Sequence, residues 1–307
     1  MRVAQPARPA AKIASAVLCT GPVWQAGSML TLPVRMLGDA DRGTVERLLD
    51  LEPYEGAQVA ERVAAAGLSW RRQDARIFGY GNQRRLESLC WLGANLIPVR
   101  AGSAAVAAFA DMVAPEPRGC SSIVGDATAV LDMWDRLRPA WGYAREVREC
   151  QPLLVADAAP GVPADPSVRL VRPKEADLLY PAAVAMYTEE VGVSPVADGG
   201  DGAYRQRVRD LVSSGRAYAR FIDGQVAFKA ELAVITRHTA QIQGVWTAPQ
   251  WRGRGLATAG IAAVVADALR RVAPTVTLYV NDFNHAARSV YARCGFRQVG
   301  TFATVLF

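Results

Sequence analysis

Residues 156–166 read Ala-Asp-Ala-Ala-Pro-Gly-Val-Pro-Ala-Asp-Pro, and three prolines and a glycine in that space cannot continue a helix or a central strand. A chain of 307 residues broken in this way near its middle is expected to fold as two units. The same order of hydrophobic periods recurs on both sides. The first unit spans residues 31–155. Its pattern gives a strand at 34–37, a helix capped by Asp39 or Asp41, a helix at 57–66, and strands at 75–80, 86–92 and 95–99. A helix at 103–113, a strand at 121–124, a helix at 127–137 and a strand at 145–155 complete it. Pro98 makes 95–99 an edge or strand-end segment. The second unit, 167–307, repeats this with a strand at 168–171, helices at 176–190 and 203–214, and a hairpin at 218–222 and 226–235. It continues with a strand at 240–247, a helix at 256–271, a strand at 275–280, a helix at 285–293 and a strand at 297–307. The stretch Ser121-Ser122-Ile123-Val124-Gly125-Asp126 parallels Thr277-Leu278-Tyr279-Val280-Asn281-Asp282. Either a duplicated domain or two unrelated α/β domains fits this pattern.

Chemistry concentrates where the strand at 240–247 runs into Gln250-Trp251-Arg252-Gly253-Arg254-Gly255-Leu256-Ala257 and then a helix. A glycine turn between strand and helix leaves convergent backbone N–H groups, and the positive end of the helix dipole points at the same spot. Gly253 and Gly255 permit positive φ and remove Cβ atoms that would hold an anion away. The spacing Q-x-x-G-x-G is neither a P-loop nor a dinucleotide fingerprint. The alternative is an Arg/Gly-rich surface turn.

Composition narrows the classes. Hydrophobic residues make up 51% and charged residues 21%, which is a globular balance, and the net charge of +6 is modest. Without a basic block, zinc-ligand spacing or an interleaved aromatic platform, nucleic acid is not an expected partner. The five cysteines, Cys19, Cys90, Cys120, Cys150 and Cys294, are scattered without a C-x-x-C pair, as in a reduced cytoplasmic protein. No run of about 18 apolar residues exists, so no membrane span is expected. Residues 1–30 read as a flexible N-terminal extension. Their basic start and apolar run at 13–19 only faintly resemble a signal peptide.

Two motifs in order, Gln250-x-x-Gly253-x-Gly255-Leu256-Ala257 and Asn284-x-x-Ala287-x-x-x-Tyr291-x-x-x-Gly295-Phe296, make residues 168–307 resemble the GNAT superfamily of N-acetyltransferases. The resemblance implies α/β (α+β) architecture, with each copy a mixed, mostly antiparallel sheet flanked by helices. It implies acetyl-CoA as cosubstrate, with no metal, held along Val245, Trp246 and Thr247 and by amides from Arg252, Gly253, Arg254, Gly255, Leu256 and Ala257. Thr258 adds a hydroxyl, and the Arg252 and Arg254 guanidiniums suit phosphate. Asn284 is placed to bond the cofactor arm or to cap its helix. Tyr291 matches the general acid that protonates the leaving thiolate, in a direct attack by an amine within a ternary complex. The strand glutamate that serves as base in some members is absent. Thr239, Gln241 and Gln243 stand there instead, so Glu231, Glu189, Glu190, a water chain or the Phe307 carboxylate remain as acceptors of the proton.

The first unit has Pro98-Val99-Arg100-Ala101-Gly102-Ser103-Ala104 where such a loop would lie, and Trp134 is the only aromatic on residues 127–137. It therefore reads as a degenerate GNAT-like copy, and the chain resembles actinobacterial tandem-domain members of the superfamily. A homodimer is compatible with that architecture. The acceptor is an amine of a small molecule or a protein. A non-enzymatic acetyl-CoA sensor or scaffold is the other reading.

Overall fold

The computed structural model describes residues 34–69, 74–82 and 85–307, so the extension expected at 1–30 lies outside the described residues. Strands of the first half are β1 (Val34–Met36), β2 (Arg76–Asn82), β3 (Arg85–Leu92), β4 (Asn95–Val99), β5 (Ser122–Asp126) and β6 (Glu146–Ala156). Its helices are α1 (Arg42–Leu51), α2 (Ala57–Ala66), α3 (Ser103–Val113) and α4 (Ala127–Trp141). The second half supplies β7 (Arg169–Leu170), α5 (Ala176–Val191), α6 (Asp201–Ser213), β8 (Ala217–Ile222), β9 (Gln225–Ile235) and β10 (Ala240–Thr247). It closes with α7 (Leu256–Arg271), β11 (Val276–Tyr279), α8 (His285–Arg293) and β12 (Arg297–Leu306).

Both halves are mixed, mostly antiparallel and flanked by helices, and their strands join into one twelve-stranded sheet of order β1-β2-β3-β4-β5-β12-β6-β11-β10-β9-β8-β7. The last strand of each half has crossed to the other: β12 pairs with β5, and β6 pairs with β11. Outward from the central β6–β12 ladder, the order is β11 to β7 on one side and β5 to β1 on the other, as a pseudo-twofold axis requires. Each half has one parallel pair. β4 meets β5 only at Asn95–Ser122 and Leu96–Ile123, and β10 meets β11 only at Ala240–Val276 and Gln241–Thr277. Beyond those contacts the strands splay.

Alternation along the strands sorts the helices onto two faces. On β6, Leu153 packs with α1 and α2 while Leu154 and Ala156 pack with α7 and α8. On β8, Ala217 and Ala219 face α5 and α6 while Tyr218 faces α7. Helices α1, α2, α5 and α6 therefore cover one face, and α3, α4, α7 and α8 the other.

Pro98 lies in an interior strand, opposite Cys90 of β3 and two residues past the last β4–β5 pair. Its missing N–H falls where the ladder toward β5 has already ended, so it marks the start of the splay and not a sheet edge. Helix α4 runs on through Pro139 to Trp141, four residues beyond the sequence expectation, and so carries a second buried aromatic. Asp126 caps this helix through a bond from the Ala129 amide.

Helix α7 approaches β9 closely through Gly260, where an added Cβ would stand 2.6–2.8 Å from ring atoms of Phe228. Gly260→Ala gains about 1 kcal/mol of helix propensity but overpacks the core at a cost of about 1–3 kcal/mol. A net loss of stability, read as a lower denaturant midpoint at unchanged slope, is the expected outcome.

Candidate active site

The splay between β10 and β11 is built by sequence-local causes. β10 carries a bulge between Gln243 and Trp246, centred on Gly244 at φ 59°, which turns the strand away from β11. A Cβ on Gly244 would stand 2.9 Å from Lys229 Nζ, 3.0 Å from Glu231 Cδ and 3.1 Å from Met186 Cε, which crowds these side chains at a backbone conformation that already favours glycine. After Thr247, a short 3₁₀ turn (Pro249–Trp251) leads into the glycine turn. Gly253 at φ 73° and Gly255 at φ 80° are left-handed, and Gly255 is the N-cap of α7 without any side-chain cap. The first amides of α7 thus have neither an intrahelical acceptor nor a capping oxygen. Cβ atoms built on Gly253 and Gly255 meet nothing within 4 Å. Their glycine identity answers the backbone conformation and leaves the approach to the amides open, which fits a pyrophosphate.

The residues expected to hold the cofactor fall on three elements, β10, the glycine turn and α8. Val245, Trp246 and Thr247 line β10 on the splayed side of its last pair with β11. Arg252, Gly253, Arg254, Gly255, Leu256, Ala257 and Thr258 form the turn and first helical turn below them. Arg254 stacks 4.9 Å over the Trp251 ring. Arg252 donates to the Thr247 carbonyl (2.9 Å) and to Glu189 (2.6 Å), and Glu189 also accepts from the Trp246 indole at 3.0 Å. Glu189 thus links helix α5, strand β10 and the glycine turn. Asn284 caps α8, its Oδ1 accepting from the Ala287 amide at 3.1 Å.

Tyr291 is 6% exposed, its ring edge-on to Phe296 at 5.8 Å, and its oxygen makes no hydrogen bond among the described residues. Burial raises its pKa, with the Glu190 charge and Cys294 adding to the effect, so the phenol keeps its proton. Thr258 helps hold α8 in place, its carbonyl accepting from Cys294 Sγ at 3.4 Å.

Glu231 is buried and contacts Lys229 (3.4 Å) and Arg207 (3.2 Å). Burial opposes its ionisation, but these two cations overcome it and hold the carboxyl below the ordinary range. Glu190, at the end of α5, has its charge felt at both Tyr291 and Tyr279. It is fixed by Arg148 of β6, which donates to its carboxylate at 2.8 Å and to its main-chain carbonyl at 2.6 Å. Arg145 adds a bond to the Val191 carbonyl at 2.6 Å, so two first-half arginines cap α5. Sequence reading missed Arg148 and Arg145 because strand exchange, invisible in local patterning, brings them here. Exchange also removes one candidate base. β12 ends against α4, where the Phe307 ring meets Trp134 at 5.5 Å and Trp141 at 6.1 Å, so the terminal residue lies in the first half.

The corresponding splay in the first half is narrower where it begins. Gly125 at φ 149° approaches so near that a Cβ would stand 3.2 Å from the Pro98 carbonyl oxygen. Arg100 is paired with Glu52 at 2.8 Å. Glu55 has its pKa pushed up from 4.5 to about 6, by burial first and then by the charges of Asp126 and Glu52. A raised folded-state value means that the neutral form stabilises the fold below the unfolded pKa, and that this contribution is lost as pH rises through about 6. Because the group is partly exposed, the loss is discounted to about 1 kcal/mol. Glu55→Gln is expected to match wild type at pH 4 and to exceed it by that amount at pH 7.5, in paired urea melts.

Among the described residues, no cluster of His, Cys, Asp and Glu is arranged to hold a metal ion, and no helix is long and apolar enough to cross a membrane. Residues 181–296 match the acetyltransferase (GNAT) family, and residues 75–179 match a family described only as a domain of unknown function (DUF4081). Among solved structures, an acetyltransferase of the GNAT family from Colwellia psychrerythraea superposes with TM-score 0.54 at 12% identity, over 89% of this chain and 99% of that one. The fold is that of the GNAT superfamily. A GCN5-related N-acetyltransferase from Sphaerobacter thermophilus gives TM-score 0.54 at 16% identity over 89% and 95% of the two chains. A Drosophila protein gives 0.62 at 14% identity over 90% and 98%. No curated protein matches. The GNAT match begins inside α5 and ends at Phe296, so it contains the glycine turn, Asn284 and Tyr291.

Proposed function

We propose that the second half binds acetyl-CoA in the β10–β11 splay and transfers its acetyl group to an amine in a ternary complex. The observation that carries this reading is the open glycine turn at the foot of a splayed, bulged strand, with a protonated Tyr291 on the adjoining helix. Amides of Gly253 to Ala257 hold the pyrophosphate, and Val245 to Thr247 run beside the pantetheine arm. The amine lone pair attacks the thioester carbon, the C–N bond forms, and the C–S bond breaks as Tyr291 protonates the departing thiolate. Glu190, the carboxylate whose charge reaches Tyr291, takes the proton from the amine. Glu189, which holds both Arg252 and the Trp246 indole, and Glu231, which holds both Lys229 and Arg207, act as positioning groups for the glycine turn and for the strand bulge, whereas the Glu190 carboxylate pairs with Arg148 alone. The first half is a degenerate copy without a cofactor turn, and it completes the site through Arg148.

Amine-dependent release of CoA from acetyl-CoA, screened over small amines and peptides, tests this reading. Binding without release for any amine would favour an acetyl-CoA sensor, a reading supported by the cation pairing of every acid in the site.

A further inference from the structure

Lys229 is the charged group that the mechanism above leaves unused, and its surroundings are unusual for a lysine. It sits in the middle of β9 at 1% side-chain exposure, with Phe228 and Ala230 beside it facing the α7 core. Its ammonium donates to the Gly244 carbonyl at 2.8 Å and lies 3.4 Å from Glu231. Burial draws the lysine pKa down, and the Glu231 carboxylate opposes that loss of charge. A fully buried cation is costly to keep, so one bonded to a main-chain oxygen at the strand bulge calls for a reason.

The peptide that Lys229 holds supplies that reason. In a trans peptide the C=O and the following N–H point in opposite directions, so a cation on the Gly244 oxygen leaves the Val245 N–H aimed away from β9. Register agrees. Ala248 donates to Ala227 at 3.0 Å, and Trp246 is paired with Lys229. Alternation then turns the amides of Val245 and Thr247 to the side where β11 has stopped pairing. A hydrogen bond from an ammonium to a peptide oxygen polarises that peptide and strengthens its N–H as a donor.

We propose that Lys229 is a positioning residue that charges the Gly244–Val245 peptide, so that the Val245 N–H stabilises the oxyanion formed when an amine attacks an acyl thioester in the splay. The assignment rests on the acetyltransferase reading. It extends that reading to a residue outside both sequence motifs. Glu231 serves to keep the ammonium charged and in place, and Arg207 holds Glu231 from its other side at 3.2 Å. Only the thioester carbonyl develops negative charge on oxygen during the attack, so the effect belongs to the transition state and not to binding of the cosubstrate.

The test uses Lys229→Gln, which keeps a neutral donor within reach of the Gly244 oxygen. The readouts are the infrared carbonyl band of bound [1-¹³C]acetyl-CoA and the steady-state constants. Wild type is expected to shift the bound thioester band to lower frequency than in free acetyl-CoA. In the variant the band should move back toward the free position, and kcat should fall about ten- to thirtyfold with acetyl-CoA affinity and amine KM nearly unchanged. If Lys229→Gln does not fold, Lys229→Met/Glu231→Leu removes the buried pair together and is read in the same way. A variant with the wild-type band and kcat within twofold of wild type overturns this proposal and leaves the acetyltransferase reading standing. Wild type with no bound band at all overturns both.

Discussion

Replacing Tyr291 by phenylalanine should lower kcat about a hundredfold, with acetyl-CoA affinity and thermal stability close to wild type. The stability expectation follows from packing. The ring fills the α7–α8 core beside Phe296, and among the described residues the oxygen has no partner to leave unpaired. The rate expectation follows from proton transfer, which contributes about 10²–10⁴-fold when a group is well placed. The lower end is chosen because burial raises the phenol pKa and so makes Tyr291 a weaker acid. The same shift fixes the sign of the pH dependence. A phenol that holds its proton above the ordinary tyrosine range produces no loss of kcat on the alkaline side up to about pH 10. A wild-type kcat for Tyr291→Phe, measured at saturating acetyl-CoA, would falsify the general-acid role.

Gly255→Ala should raise the dissociation constant for acetyl-CoA by roughly tenfold or more. A left-handed backbone costs an L-residue about 1–2 kcal/mol, and each 1.4 kcal/mol is a factor of ten. Because a Cβ at this position meets nothing within 4 Å, the turn can relax toward negative φ without disturbing the core, so unfolding midpoints should change little. The relaxation swings the first amides of α7 out of convergence, and anion binding is lost with them. The contrast with Gly260→Ala is informative, since that substitution lies on the same helix but acts through packing against Phe228. Calorimetric titration of both variants separates the two mechanisms: one loses ligand, the other loses stability. An unchanged affinity for Gly255→Ala would move the phosphate site elsewhere.

Much of this was legible in local sequence. The period changes at 240–271 placed the strand, the glycine turn and the helix. The Asn284 cap followed from residue type, whereas Tyr291 was marked only by the resemblance. What local pattern could not carry was partner choice between strands. β6 and β12 both read as terminal strands of their own halves, and nothing in their alternation records that each pairs beside the other's sheet. Three site features depend on that exchange: Arg148 on Glu190, Arg145 on Val191, and the removal of Phe307 to the first half. Lys229 and Glu231 carried a signal that was read only in part. Opposite charges two apart in the otherwise apolar run Ala-Phe-Lys-Ala-Glu-Leu-Ala share one strand face and predict a buried pair. Glu231 was singled out as a base, whereas its two cations hold it ionised and engaged.

One cosubstrate site per chain is the central claim, resting on an open glycine turn in the second half and on the run Pro98–Ala104 in the first, which has one glycine and no Q-x-x-G-x-G. Isothermal titration of the full-length protein with acetyl-CoA measures it directly. A stoichiometry of one per chain, abolished or strongly weakened by Gly255→Ala, is the predicted result. A stoichiometry of two, or binding that persists unchanged in that variant, would contradict it.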